Sequence, residues 1–233
     1  MPELPEIQAH AERLTRDFAG SVLERFEPLT FTALKTASPD PAGAVGLRLI
    51  SVGHRGKFLL LRFCVTPDND TVDSSDITFV VHLMQGGRLV PDEKLSRKPR
   101  NGIARWRFAA AGHTGASHHA PSLLLTEAGK ERKAGVWVLQ GDPTAGDPGD
   151  EPAPLDKLGP DADKVSLEDF TEALASKNQR VHGFLRDQHG VAGLGRMLAN
   201  EICHRARMSP FVMTSKLTDD DLDVIDGKKD ELV

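Results

Sequence analysis

A chain of 233 residues, 39% hydrophobic and 27% charged, has material for one large or two modest domains around a buried core. No apolar run approaches membrane-spanning length, no charged-then-apolar leader precedes the chain, and the two cysteines, Cys64 and Cys203, form no metal or redox motif, so a protein of the reducing cytoplasm is expected. The net charge of −5 is segregated: Arg88–Arg107 carries seven basic and two acidic residues, Lys177–Arg207 six and two, but Asp142–Glu172 two basic and ten acidic. Two basic stretches on an acidic protein suit a local polyanion-binding face.

The chain opens Met1-Pro2-Glu3-Leu4-Pro5-Glu6. Loss of the initiator methionine, which the small Pro2 permits, would leave a terminal secondary amine, a nucleophile able to form an iminium with a sugar or carbonyl carbon. Glu3 stands beside that amine for proton transfer, and Glu6, three residues on, shares its helix face. Pro and Glu also favour the first turn of any helix, so the hexapeptide alone fits either role. Apolar residues at Leu4, Ile7, Ala11, Leu14 and Phe18 predict an amphipathic helix stopped by Gly20. Short alternating or apolar runs follow at Ser21–Phe26, Leu47–Val52, Phe58–Val65, Ile77–Leu83, Ile103–Ala109, Ser122–Thr126 and Val136–Gln140. Their turn residues include Pro39-Asp40, Pro67-Asp68-Asn69, Gly86-Gly87 and Gly112. Strands at this spacing predict a β-sandwich or barrel with the first helix packed on it.

Gly141–Pro160 is rich in Pro, Gly and Asp, lacks apolar periodicity and reads as an interdomain linker. Helical texture follows. Ser166 caps a helix running through Leu174, with Asp169 placed as in a capping box. A second helix is expected over Asn178–His189, with Val181, Phe184, Leu185 and Gln188 on one side. Gly193-Leu194-Gly195 opens a third, ended by Ser209-Pro210, and Thr218 starts a short acidic helix.

Three stretches carry candidate chemistry. The turn from His189 to Arg196 contains Gly193 and Gly195, and a glycine-rich turn at a helix N-terminus offers backbone N–H groups to an anion, with Arg196 able to reinforce a phosphate contact. Helix pairs that merely pack use such turns as well. Lys57 stands at the mouth of an apolar strand in Arg55-Gly56-Lys57-Phe58-Leu59, either as a surface lysine or as a phosphate contact. His82 precedes the Gly86-Gly87 turn, where a strand end aims side chains at a ligand, although a histidine there is commonly a satisfied core residue.

Taken together, these stretches resemble the formamidopyrimidine-DNA glycosylase/endonuclease VIII family. The resemblance rests on Pro2-Glu3-Leu4-Pro5-Glu6, Arg55-Gly56-Lys57-Phe58-Leu59, His82-Leu83, Leu158-Gly159-Pro160-Asp161, and Asp187-Gln188 through Gly193-Leu194-Gly195, Ala199-Asn200-Glu201 and Ser209-Pro210. These occur in family order over nearly the whole chain. The resemblance implies an α+β fold: an N-terminal helix packed on an antiparallel β-sandwich, followed by an all-α helix–two-turn–helix domain. The catalytic domain would cover residues 1–140, a linker 141–160 and the DNA-binding helices 161–233. It further implies a base-excision-repair enzyme that acts as a monomer on damaged double-stranded DNA, associated with the nucleoid. Pro2 would attack C1′ of a flipped nucleotide, Glu3 would assist ring opening and proton transfers, Glu6 would position the reacting groups, and Lys57 would contact phosphate or lesion. DNA contacts are implied at His82, Arg132, Gly193, Gly195 and Arg196, with either Met84 or Gln85 filling the void left by the flipped base.

Departures from the family pattern are specific. Arg196 stands where members usually have Asn, and Leu198 where an aromatic is usual. The wedge segment is Arg132-Lys133-Ala134-Gly135, without its aromatic. Thr36 and Thr126-Glu127-Ala128-Gly129 resemble an actinobacterial subgroup. The cysteines of the family's zinc finger are not among the 233 residues, so no metal or other cofactor is expected in this chain. Two competing readings follow: a catalytically degenerate DNA-binding member, and an N-terminal-proline enzyme for small carbonyl compounds, which leaves the basic helical half unused.

Overall fold

The computed structural model describes residues 1–65, 76–109, 120–129, 132–146 and 150–233. The expected turns at Pro67-Asp68-Asn69 and Gly112, and linker residues 147–149, lie outside the described residues.

Helix α1 (Leu4–Phe18) has the expected bounds. Its Leu4, Ile7, Ala11, Leu14 and Phe18 are each at most 3% exposed, and burying each large apolar side chain is worth about 1.5–3 kcal/mol. Eight strands follow among the described residues: β1 (Leu23–Pro28), β2 (Arg48–Arg55), β3 (Phe58–Cys64), β4 (Ile77–His82), β5 (Gly87–Pro91), β6 (Gly102–Phe108), β7 (Ser122–Glu127) and β8 (Gly135–Gln140). They form two sheets, β1-β6-β7-β5 and β2-β3-β4-β8. Phe26 and Trp106 from one sheet meet Phe79 of the other at centroid distances of 5.1 and 5.8 Å, which locks the two faces together. Helix α1 packs here through Phe18 against Phe108, and Thr15 Oγ1 donates to Val52 O while accepting from Val52 N–H.

Strand β5 lies outside the expected runs, since Gly86-Gly87 reads as a turn. It lies at an edge of its sheet, the position in which a proline without an N–H donor is tolerated.

The remaining helices are α2 (Leu167–Ala175), α3 (Val181–Phe184), α4 (Arg196–Arg205) and α5 (Asp219–Asp230). The helix expected over Asn178–His189 is only the four residues of α3. Its flanks bond elsewhere: Thr214 N–H donates to Gln179 O, Val181 N–H to Val212 O, and Asp187 Oδ1 accepts from His189 N–H. Gly183 further weakens a longer helix. Leu4, Phe170, Phe184, Leu194, Leu198 and Ile202 belong to the buried cluster of this region.

The chain divides into two compact units: Met1–Pro2, Gln8–His54 and Phe58–Ala145 form one, and Glu3–Ile7, Arg55–Lys57 and Gly146–Val233 the other. The second unit therefore draws two short segments from far upstream.

Candidate functional site

Helix α4 starts at Arg196 with Gly195 as its N-cap, a residue with no side chain to satisfy the first N–H groups of the helix. Glu3 supplies the missing acceptors. Its Oε2 accepts from the N–H groups of Gly195 and Leu198 and its Oε1 from that of Met197, each at 2.9 Å. The carboxylate is 4% exposed and sits at the positive end of the helix dipole. Both glycines of the turn are demanded by this approach. A Cβ on Gly195 would stand 2.3 Å from Glu3 Oε1, and one on Gly193, whose φ is +100°, would stand 2.9 Å from Leu4 Cβ. The anion site expected at Gly193–Arg196 is thus present, but the expectation of N–H groups free for phosphate is corrected. The anion they bind is the chain's own Glu3. Arg196 is exposed in the first turn.

Glu6 Oε2 accepts from Glu3 N–H at 3.1 Å, so Glu6 caps its own helix and steadies the backbone of Glu3. Lys57 is 4% exposed, and its Nζ donates to Leu194 O at 2.5 Å, inside the same turn. Burial lowers the Lys57 ammonium from 10.5 to about 8, with Glu3 opposing the shift and Arg186 adding to it. Gln188 completes the turn: its Nε2 donates to Leu194 O at 2.7 Å and its Oε1 accepts from Gly193 N–H at 3.1 Å. The sequence placed Gln188 on a helix face without assigning it this role. Pro2, the residue before Glu3, is half-buried.

A second set of residues holds Lys57 in place. The Arg55 guanidinium donates to both carboxylate oxygens of Glu151, to Asp161 Oδ1 at 2.7 Å and to the carbonyls of Leu158 and Gly159, so all five of its N–H groups are used. Asp161 Oδ1 also accepts from Gly56 N–H at 2.7 Å, which fixes the turn just before Lys57. Sequence reading quoted Arg55 and Asp161 in motifs but gave neither a partner. Their contact spans 106 residues and has no local signal.

The remaining predicted residues lie in the first unit. His82 ends β4 with its ring edge-on to Phe58 at 4.6 Å, and its Nδ1 accepts from Met84 N–H at 3.0 Å. Met84 has φ +52°, a strained backbone for a residue with a side chain, and Gln85 beside it is exposed. Arg132 is exposed and its Nη2 donates to Asn101 Oδ1 at 3.2 Å. The structure therefore gathers Glu3, Glu6, Lys57, Gly193, Gly195 and Arg196 in one unit, and Pro2, His82, Met84, Gln85 and Arg132 in the other.

Cys64 and Cys203 are both buried, and burial pushes both thiols up, Cys64 to about 11, which suits neither to metal binding. Two isolated buried thiols do not fit a zinc finger. Among the described residues no three His, Cys, Asp or Glu side chains converge to hold an ion, and no helix is long and apolar enough to cross a membrane.

Comparison with known proteins bears on both units. The family model of the formamidopyrimidine-DNA glycosylase N-terminal domain matches residues 1–120, and that of the formamidopyrimidine-DNA glycosylase H2TH domain matches residues 158–232. A formamidopyrimidine-DNA glycosylase of Heliobacterium modesticaldum is 30% identical over 234 residues, covering 95% of this chain and 73% of the relative. That of Chloroflexus aurantiacus is 27% identical, covering 94% and 70%. The crystal structure of the MutM (Fpg) protein from Thermus thermophilus has the same fold, with a TM-score of 0.74 at 22% identity over 99% of this chain and 74% of that one. The Lactococcus lactis Fpg, solved in complex with an abasic site containing DNA, gives 0.77 at 19% identity over 98% and 76%. With models matching the sandwich and the helical region in turn, and a relative aligned along nearly the whole sequence, the chain belongs to the formamidopyrimidine-DNA glycosylase family.

Proposed function

We propose that the chain is a bifunctional DNA glycosylase and abasic-site lyase of base-excision repair, acting as a monomer on oxidised bases in duplex DNA, in the cytoplasm and without a cofactor. The observation that carries this reading is the carboxylate of Glu3, clamped by three backbone N–H groups immediately after Pro2. A carboxylate offers about four acceptor sites; the three bonds leave one, on Oε1, for an amine proton or a sugar hydroxyl. After removal of Met1, the Pro2 nitrogen attacks C1′ of the damaged nucleotide. The N–C1′ bond forms as the glycosidic bond breaks, the base leaves with the electron pair, and the amine gives up its proton. Opening of the sugar ring yields an iminium, which acts as the electron sink for successive elimination of the two phosphates. Lys57 and Arg196 are assigned to phosphate or lesion contacts. His82, Arg132 and either Met84 or Gln85 are assigned to the DNA around the flipped nucleotide.

The test is covalent trapping. Borohydride reduces the iminium to a stable amine, so the protein should migrate as a DNA adduct with abasic-site and oxidised-base duplexes, and mass spectrometry should find residue 2 as the first residue. Pro2→Gly should lose most of the adduct. Absence of adduct with either duplex removes the enzymatic reading. A second reading, a DNA-binding member without turnover, is favoured by one observation: most of the acceptor capacity of Glu3 is spent on capping α4. It predicts salt-sensitive duplex binding with no adduct.

A further inference from the structure

Phe31 is fully exposed, at 102% relative accessibility, and is the most exposed large apolar side chain among the described residues. It is not on a loose segment. It occupies the second position of a turn closed by Ala33 N–H donating to Thr30 O at 3.1 Å. The strand before the turn is tied by Leu29 N–H to Ile103 O, and the segment after it by Val136 N–H to Ala33 O, Lys35 N–H to Val136 O and Val138 N–H to Thr36 Oγ1. Leu29 and Pro99 both pack where a Cβ of Gly102 would be. The fold thus fixes the backbone of this turn on both sides and leaves the ring in water.

The surroundings are basic. Lys35 follows the turn, Arg97, Lys98 and Arg100 flank Pro99, and Arg132 bonds Asn101; all five are exposed, and none makes an ion pair with a carboxylate among the described residues. The same end of the first unit carries the segments assigned to DNA. Arg132 bonds Asn101, which precedes Gly102; Ala128 N–H donates to Gly86 O, beside Met84 and Gln85; and His82 pairs in register with Gly135 at the start of β8. An exposed aromatic ring on a turn with a fixed backbone, with cations on the segments joined to it, suits a base face within a polyanionic backbone.

We propose that Phe31 stacks on an unpaired base of damaged duplex DNA, supplying the aromatic that Arg132-Lys133-Ala134-Gly135 lacks. The proposal rests on the DNA-repair reading above and adds the contact through which a lesion site is told from intact duplex. Because the side chain is fully exposed, its removal should not lower thermal stability.

The test uses the full chain and a duplex with a tetrahydrofuran abasic analogue, with 2-aminopurine in the opposite strand facing the analogue. Wild-type protein and Phe31→Trp should change the 2-aminopurine emission on binding. Phe31→Ala should bind this duplex roughly ten-fold more weakly and change the emission far less, while its loss of affinity for the undamaged duplex is smaller. Phe31→Ala indistinguishable from wild type on both duplexes overturns the stacking assignment and leaves the repair reading intact. Failure of wild-type protein to bind either duplex overturns both. A wild-type dimer that dissociates in Phe31→Ala assigns the ring to self-association and likewise overturns the proposal.

Discussion

Helices α4 and α5 begin in the same unit but solve the problem of their free N–H groups differently. Helix α5 is capped locally: Thr218 accepts from Asp221 N–H, and Asp221 accepts from Thr218 N–H, a closed box within four residues. Helix α4 has a glycine at its cap and borrows Glu3, 192 residues earlier in the chain. The local cap serves only its helix. The borrowed one makes the start of α4 and the position of Glu3 a single structural event, so a family-typical helix turn and the residue after Pro2 are ordered together. Sequence economy explains the glycine, since any side chain at 195 would occupy the space the carboxylate needs.

The largest effect should come from breaking the borrowed cap. Glu3→Ala leaves the N–H groups of Gly195 and Leu198 buried without partners, and each such group costs about 1–3 kcal/mol. Urea denaturation of the helical unit should therefore show a loss of about 3 kcal/mol or more, and the amides of Gly195, Met197 and Leu198 should lose hydrogen-exchange protection. Gly195→Ala should reproduce that pattern with the carboxylate still in the chain, because its Cβ would displace Glu3. If Gly195→Ala leaves exchange at Leu198 unchanged, the close approach is not what keeps Glu3 in place.

How far this was legible in the sequence depends on the range of the contact. The apolar spacing of Leu4, Ile7, Ala11, Leu14 and Phe18 gave α1 with its observed bounds, because one continuous face decides it. Ser166 and Thr218 were readable as caps because their partners are three residues away. At Gly193–Arg196 the sequence disclosed an anion-binding turn but not its anion, since nothing local links that turn to Glu3. The overlong second helix failed for the same reason: backbone partners at 212–214 take over residues 179–181. Pairing of Arg55 with Glu151 and Asp161 was equally invisible, although Arg55 and Asp161 had been quoted in motifs.

An intermediate effect should follow from pH. Lys57 sits against the borrowed cap, and burial lets it lose its proton near 8 rather than at 10.5. The two consequences have opposite signs. Between about pH 8 and 10.5 the unfolded chain binds more protons at this residue than the folded one, so the stability contribution rises with pH. Over the same rise the buried cation disappears, and duplex affinity, measured by fluorescence anisotropy at fixed salt, should fall several-fold between pH 7 and 9. Lys57→Met should flatten both trends. A wild-type affinity that holds constant to pH 9 would show that Lys57 does not meet phosphate as a cation.

The smallest effects belong to the local cap. Thr218→Ala should cost about 1 kcal/mol, the usual value for losing such a residue, and should leave DNA binding unchanged because α5 shares no group with the Glu3 clamp. Gly227→Ala, within α5 and with nothing near its Cβ, should gain up to about 1 kcal/mol, the reverse of the same substitution at Gly195. Acid adds a signature of its own. Bonds from the Thr218 backbone and hydroxyl hold Asp221 below its ordinary 3.8. A depressed carboxyl stabilises the fold above its unfolded value and ceases to do so as pH falls through its folded one, so α5 should fray only below about pH 4. Thr218→Ala removes the hydroxyl bond but keeps the backbone one, the larger cause, and should weaken that acid dependence without erasing it, whereas exchange at Leu198 in α4 should be the same in variant and wild type.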